Sequence, residues 1–225
     1  MSYCTFSVAL AAPPTTVKVD GREVLEAFAS INSQRDPVSV LLRVPCGTKI
    51  GSAFSSKEVG HRLIITGELH LASEKYQAPV VKPHSFCDAT ESQYVNEVVV
   101  IGRLSEKSYV SQSGKSVSRS LAVNRYVSKD NQVTDWFNLR GFSYAKDRLE
   151  AAGKGALCSI HGSLYQDSSD KGLYTGVNVR RMTCHQNSKA GKGGGNPAEG
   201  TSAVGYESSD FNVPQDDSPL SPNWN

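Results

Sequence analysis

The sequence predicts an all-β fold: two tandem five-stranded β-barrels, each with one short helix, followed by a disordered C-terminal tail. Three observations carry this reading. Residues 1–185 consist largely of short runs rich in Val, Ile, Leu and aromatics, bounded by Gly, Ser, Asn and Asp, the pattern of strands and turns. These runs repeat weakly at a spacing of about 95 residues. From Gln186 onward the composition shifts to Gly, Ser, Pro, Asn and acids with almost no β-branched residues, a segment unable to bury enough apolar surface to fold.

The repeat sets the domain count. Leu63, Ile65, Gly67 and Leu69 overlay Cys158, Ile160, Gly162 and Leu164 at a shift of 95. Gly21, Val24, Phe28 and Ala29 overlay Gly114, Val117, Leu121 and Ala122 at 93; Leu42 and Arg43 overlay Leu139 and Arg140 at 97; Tyr76 overlays Tyr174 at 98. The drifts are small insertions and deletions in loops. The expected organisation is a first barrel over 1–92, a second over 93–185 and a linker with tail over 186–225.

Each copy reads as β-β-β-α-β-β. The chain opens on an apolar run over residues 6–13, which reads as a strand and not a secretion signal because no Lys or Arg precedes Lys18. In the second copy, strands are expected over 96–104, 116–126 and 135–142. Residues 144–152 carry Ala, Lys, Arg, Leu and Glu and stop at Gly153 and Gly155, a short helix with a glycine end signal. Strands over 156–165 and 172–182 follow, with a polar hairpin at 166–171 between them. Five strands with a helix before the fourth is the plan of the oligonucleotide-binding (OB) barrel, which periodicity alone does not separate from another small barrel.

Charge is divided unevenly along the chain. The whole carries 24 basic and 22 acidic residues, net +2. Residues 1–92 hold nine of each, 93–185 hold thirteen basic against eight acidic, and 186–225 hold two against five. A neutral barrel, a basic barrel and an acidic tail result, and the tail competes for the basic face in this reading. No stretch approaches the ~20 apolar residues of a membrane span. The five cysteines are scattered without a Cys-x-x-Cys pair, so they read as buried or free thiols in a reducing compartment and no metal site is expected.

Residues 136–142 carry most of the functional information. Alternation puts Trp136, Asn138, Arg140 and Phe142 on one face and Phe137 and Leu139 on the other. With Phe137 and Leu139 inside the barrel, the outer face presents two aromatics, an amide and a guanidinium. That set suits stacked bases and phosphates, although Trp and Phe on a strand also serve as core or subunit-interface residues. Tyr126, Tyr109, Tyr144, Tyr165 and Tyr174 accompany it, interleaved with Arg103, Lys107, Lys115, Arg119, Arg125, Lys129 and Lys171.

Residues 96–104 (NEVVVIGRL), 121–125 (LAVNR), 135–138 (DWFN) and 160–164 (IHGSL), in this order and spacing, resemble the bacterial single-stranded DNA-binding protein family across about residues 94–182. The resemblance implies base stacking by Trp136 and Phe142, with Tyr126 near a further aromatic position. Arg119 departs from the family, standing where an apolar residue is usual, and Tyr165 is the nearest match to an aromatic after the fourth strand. The candidate nucleic-acid-binding set is therefore Trp136, Phe142, Arg140, Asn138, Tyr126, Arg125, Arg103, Lys107, Lys115 and Tyr165. In the first copy, Ser39 and Pro45 fall at the positions of Trp136 and Phe142, so that barrel reads as a scaffold or association domain with weak phosphate contacts from Arg43, Lys49 and Lys57.

By the same resemblance, two barrels per chain imply a homodimer supplying four. The tail then offers Phe211, Asp216, Asp217 and Trp224 to replication and repair proteins, although it lacks the terminal Phe-Pro-like element of the family. The expected location is the bacterial cytoplasm, with the nucleoid. Gly114, Lys115 and Ser116 invite a phosphate-loop reading, which fails because that motif requires glycine where Tyr109 stands. No nucleophile elbow or acid-base set is apparent, so neither catalysis nor a cofactor is expected. The leading reading is a coat for transient single-stranded DNA in replication, recombination and repair. An OB-fold adaptor for protein assembly, primosome-like, and a single-stranded RNA binder are the alternatives.

Overall fold

The computed structural model describes residues 1–31, 37–71, 78–128, 131–169 and 172–185. In chain order these form β1 (Ser2–Leu10), β2 (Thr15–Val19), β3 (Arg22–Ile31), β4 (Val38–Pro45), α1 (Lys49–Ser55), β5 (Arg62–His70) and β6 (Val80–Asp88). The second half supplies β7 (Asn96–Val110), β8 (Ser116–Ser128), β9 (Asn131–Phe142), α2 (Ser143–Ala151), β10 (Leu157–Ser169) and β11 (Gly172–His185). Among the described residues, no helix is long and apolar enough to cross a membrane, and no three metal-ligating side chains cluster.

The two-barrel expectation holds. β7 pairs with β8, β8 with β9, β9 in parallel with β11, β11 with β10, and β10 returns to β7, closing a five-stranded ring. β1, β3, β4, β6 and β5 close a second ring with the same connectivity, again with one parallel pair, β4 with β6.

Three details differ from the sequence reading. The first half has six strands, because Pro13 and Pro14 interrupt the chain after β1; β2 then pairs with β3 as the far half of β7 pairs with β8. The expected polar hairpin at 166–171 is largely ladder, since pairing runs on to Ser169 and Gly172. The overlay of Phe28 on Leu121 is one residue out. Val24 pairs with Pro45 as Ser116 pairs with Phe142, so Ala29 is the counterpart of Leu121 and both are buried, whereas Phe28 is 49% exposed on the outer face.

The overlay of Gly67 on Gly162 is structural. Each sits at a register shift in the fourth strand of its barrel, where a Cβ would come within 2.2 Å of the Lys82 or Asn178 carbonyl oxygen respectively.

Both interiors follow the alternation. Phe6, Val8, Leu42, Leu63 and Ile65 fill the first barrel, and Val100, Leu121, Phe137, Leu139, Ile160 and Val177 fill the second, all fully buried. Each large side chain so removed from water contributes about 1.5–3 kcal/mol. Phe54 on α1 and Leu149 on α2 are likewise buried in this core. Thr48 caps α1 by accepting the Gly51 N–H at 3.0 Å, whereas α2 starts directly from β9 with no side-chain cap.

The barrels are joined through their first strands. β1 gives its end, Val8 to Leu10, to β3 and its start, Ser2 to Phe6, to β7, which pairs with it antiparallel between Asn96 and Val100. From Arg103 on, β7 turns to β8. A second link comes from Gln166 on β10, whose amide accepts the Ser39 N–H at 2.8 Å and donates to the Ser39 carbonyl at 2.9 Å. It thereby satisfies the edge of β4 where β6 has not yet begun.

Candidate nucleic-acid interface

The face over β8 and β9 is built by their ladder. Directly opposed residues share a face, so Phe142 stands beside Ser116, Arg140 beside Ser118, Asn138 beside Ser120 and Trp136 beside Ala122. Large side chains on β9 therefore rise next to small ones on β8, leaving a shelf along which a planar ring can lie. Trp136 is 57% exposed and Phe142 49%. Six residues of strand put them about 20 Å apart. Asn138 and Arg140 lie half-buried between them.

Tyr109 joins this row. It pairs with Ser118, which pairs with Arg140, and its ring is 65% exposed. Sequence alone left it among scattered aromatics because its place depends on the register shift between Leu104 and Ser108. Tyr126, 75% exposed, lies farther along β8 beside a cleft of about 370 Å3 that is also lined by Tyr3, His70 and Lys82 of the first barrel.

Arg140 is held from two sides. Its guanidinium sits 4.0 Å from the centre of the Tyr165 ring and pairs with the Asp167 carboxylate. A phosphate at this point must displace Asp167.

Several predicted residues have other roles. Tyr165 is buried, lying over Gly176 with Arg140 on its ring, so it is no open stacking platform; burial pushes its hydroxyl up to about 12. Arg125 points to the opposite side of β8 and binds buried Asp135 at 2.8 Å. Burial alone would raise the Asp135 carboxyl, but Arg125 and His70, the latter 3.7 Å away, hold it below its usual range. Arg119 is buried and donates to the carbonyls of Ser105, Leu149 and Ala152, satisfying the C-terminal end of α2. Arg103 is exposed and donates to the Gly155 carbonyl at 3.0 Å. Lys107 and Lys115 are exposed on the strand and turn beside the face, and no acid pairs with either among the described residues. Lys129, Lys171 and the tail residues Phe211, Asp216, Asp217 and Trp224 lie outside the described residues.

No protein-family model matches the sequence, and no curated protein matches it significantly. Solved structures do match. The wild-type single-stranded DNA-binding protein of Thermus aquaticus superimposes with a TM-score of 0.65 at 17% identity, covering 88% of this chain and 98% of that one. A deletion mutant of the same protein gives 0.62 at 15% identity, with coverages of 83% and 95%. The chain has the two-barrel fold of a single-stranded DNA-binding protein.

Within this shared fold β4, the counterpart of β9, presents no exposed aromatic among the described residues. Ser39 is gripped by Gln166, Leu41 is buried where the second barrel has Asn138, and Pro45 ends β4. Arg43 is bound to Glu26 at 2.5 Å and Lys57 to Asp88 at 2.5 Å, so two of the three cations expected to touch phosphate are already paired.

Proposed function

We propose that this protein binds single-stranded DNA across the outer face of β8 and β9, coating transient single strands in replication, recombination and repair. The observation that carries the reading is the pair of exposed aromatics, Trp136 and Phe142, on one face of a strand with Asn138 and Arg140 between them. They stand in the half of the chain with thirteen basic residues against eight acidic. Stacking contributes about 1–3 kcal/mol per base and is indifferent to sequence. Lys107, Lys115 and Arg103 add phosphate contacts. The first barrel serves mainly as a scaffold, two chains together supply four barrels, and the acidic tail offers a contact for partner proteins of DNA metabolism.

The test is a fluorescence titration with single-stranded DNA, single-stranded RNA and duplex at two salt concentrations. DNA should bind most tightly, with little base preference. The log-log salt slope should be about −0.7 per phosphate neutralised. Trp136→Ala should weaken binding by about tenfold and abolish most quenching, while an unchanged affinity overturns the assignment. Tight binding to RNA alone would move the assignment to RNA, and no binding to any of the three would leave an assembly adaptor.

A further inference from the structure

The ladder of β10 and β11 sets two thiols face to face. Cys158 and Cys184 are direct partners, one rung before pairing ends at Leu157 and His185. Opposed residues in an antiparallel pair have Cα atoms about 4.5–5.5 Å apart, inside the span of about 4.4–6.8 Å that a disulfide bridges. Their Sγ atoms stand 2.8 Å apart, close enough for a bond to form between them with a small shift of the side chains. Both are free thiols; Cys158 is fully buried, and Cys184 is exposed.

We propose that Cys158 and Cys184 form a reversible oxidation site, which a peroxide converts to an intramolecular disulfide at the base of the second barrel. The two thiols divide the work. Burial, and then the Cys184 thiol beside it, push Cys158 up to about 12, so Cys158 stays protonated and sheltered while Cys184 meets solvent. The Cys184 thiolate attacks one peroxide oxygen, the O–O bond breaks, and Cys184 becomes a sulfenic acid with release of hydroxide. The Cys158 sulfur then attacks the Cys184 sulfur, the S–O bond breaks, and water leaves with the Cys158 proton. Two electrons pass from the thiol pair to the peroxide, giving one disulfide and two waters overall once the hydroxide takes up a proton. A dithiol reductant reverses the change. The crosslink joins residues 26 apart and locks the last rungs of β11.

The experiment uses the full chain treated with hydrogen peroxide, then quenched. Reactive thiols under denaturing conditions should fall from the five of the sequence to three and return to five with dithiothreitol. Digestion without reduction should yield one crosslinked peptide pair containing Cys158 and Cys184. The oxidised chain should melt several degrees higher than the reduced one, as expected for closure of a loop of this length. Cys184→Ser, at an exposed position, should fold normally and lose both the crosslinked peptide and the shift in melting. Survival of all five thiols, a crosslink to another cysteine or between chains, or oxidation of Cys184 to sulfinic acid without a crosslink would each overturn the proposal.

Discussion

Replacing Arg119 tests how the second barrel holds its helix. Arg119 is 3% exposed, and its guanidinium donates at 2.6–2.9 Å to three carbonyls, those of Ser105 on β7 and of Leu149 and Ala152 at the end of α2. Arg119→Ala removes all these donors and leaves a void. A buried acceptor without its partner costs about 1–3 kcal/mol. Some of the three carbonyls will recover water through the void, so the expected loss is about 3–5 kcal/mol. For a chain of this size that lowers Tm by about 10 °C. Urea unfolding followed by circular dichroism should show a lower midpoint at an unchanged slope. DNA affinity measured well below the transition should stay within about twofold, because Arg119 faces the interior. A stability loss under about 1 kcal/mol would refute the capping role. A tenfold fall in DNA affinity from a fully folded variant would return Arg119 to the binding face.

Two further substitutions test the frame. Gly162→Ala puts a methyl group 2.2 Å from the Asn178 carbonyl oxygen, so β10 and β11 must part locally. A loss of about 2–4 kcal/mol is expected in thermal or urea unfolding, and a loss below about 0.5 would show that the bulge tolerates a side chain. Asp135 is held below the usual carboxylate range in the fold, so its stabilising contribution is complete above the unfolded value near 3.8 and is lost as pH falls through the lower folded value. Unfolding midpoints measured from pH 6 downward should therefore drop more steeply for the wild type than for Asp135→Asn, and equal slopes would remove this carboxylate from the acid response.

Much of β9 was legible because a strand has period two: once Phe137 and Leu139 are placed inside, Trp136, Asn138, Arg140 and Phe142 must face out. Arg119 was counted among the basic residues of the second copy, whereas the same alternation along β8 sets it in line with buried Val117, Leu121 and Val123. Its partners stayed hidden because the carbonyls of Leu149 and Ala152 lie 30 and 33 residues away and become acceptors only when α2 ends beside β8. Arg125 follows the same line and finds Asp135 across the ladder, a pairing set by register. Tyr165 was misread for a different reason. Tyr165 points to the opposite face from Leu164 and is buried there because its direct partner Gly176 leaves room for the ring and the Arg140 guanidinium lies over it. Phe28 shows the complementary error, in which similarity of residue type pulled an overlay one position away from the pairing.

The hand-over of β1 from β3 to β7 has a consequence for how the molecule behaves on dilution. Two separate chains joined by an antiparallel pair of first strands would come apart as their concentration fell below the dissociation constant. Here both strands belong to one polypeptide, so the pairing is intramolecular and its strength is independent of copy number. Fusion also lifts a constraint of symmetry. In a two-fold homodimer every substitution appears on both barrels at once. In this chain one barrel can hold Ser39 under the Gln166 amide while the other keeps Trp136 open to solvent. Covalent linkage thus permits a division of labour that identical subunits cannot reach by mutation.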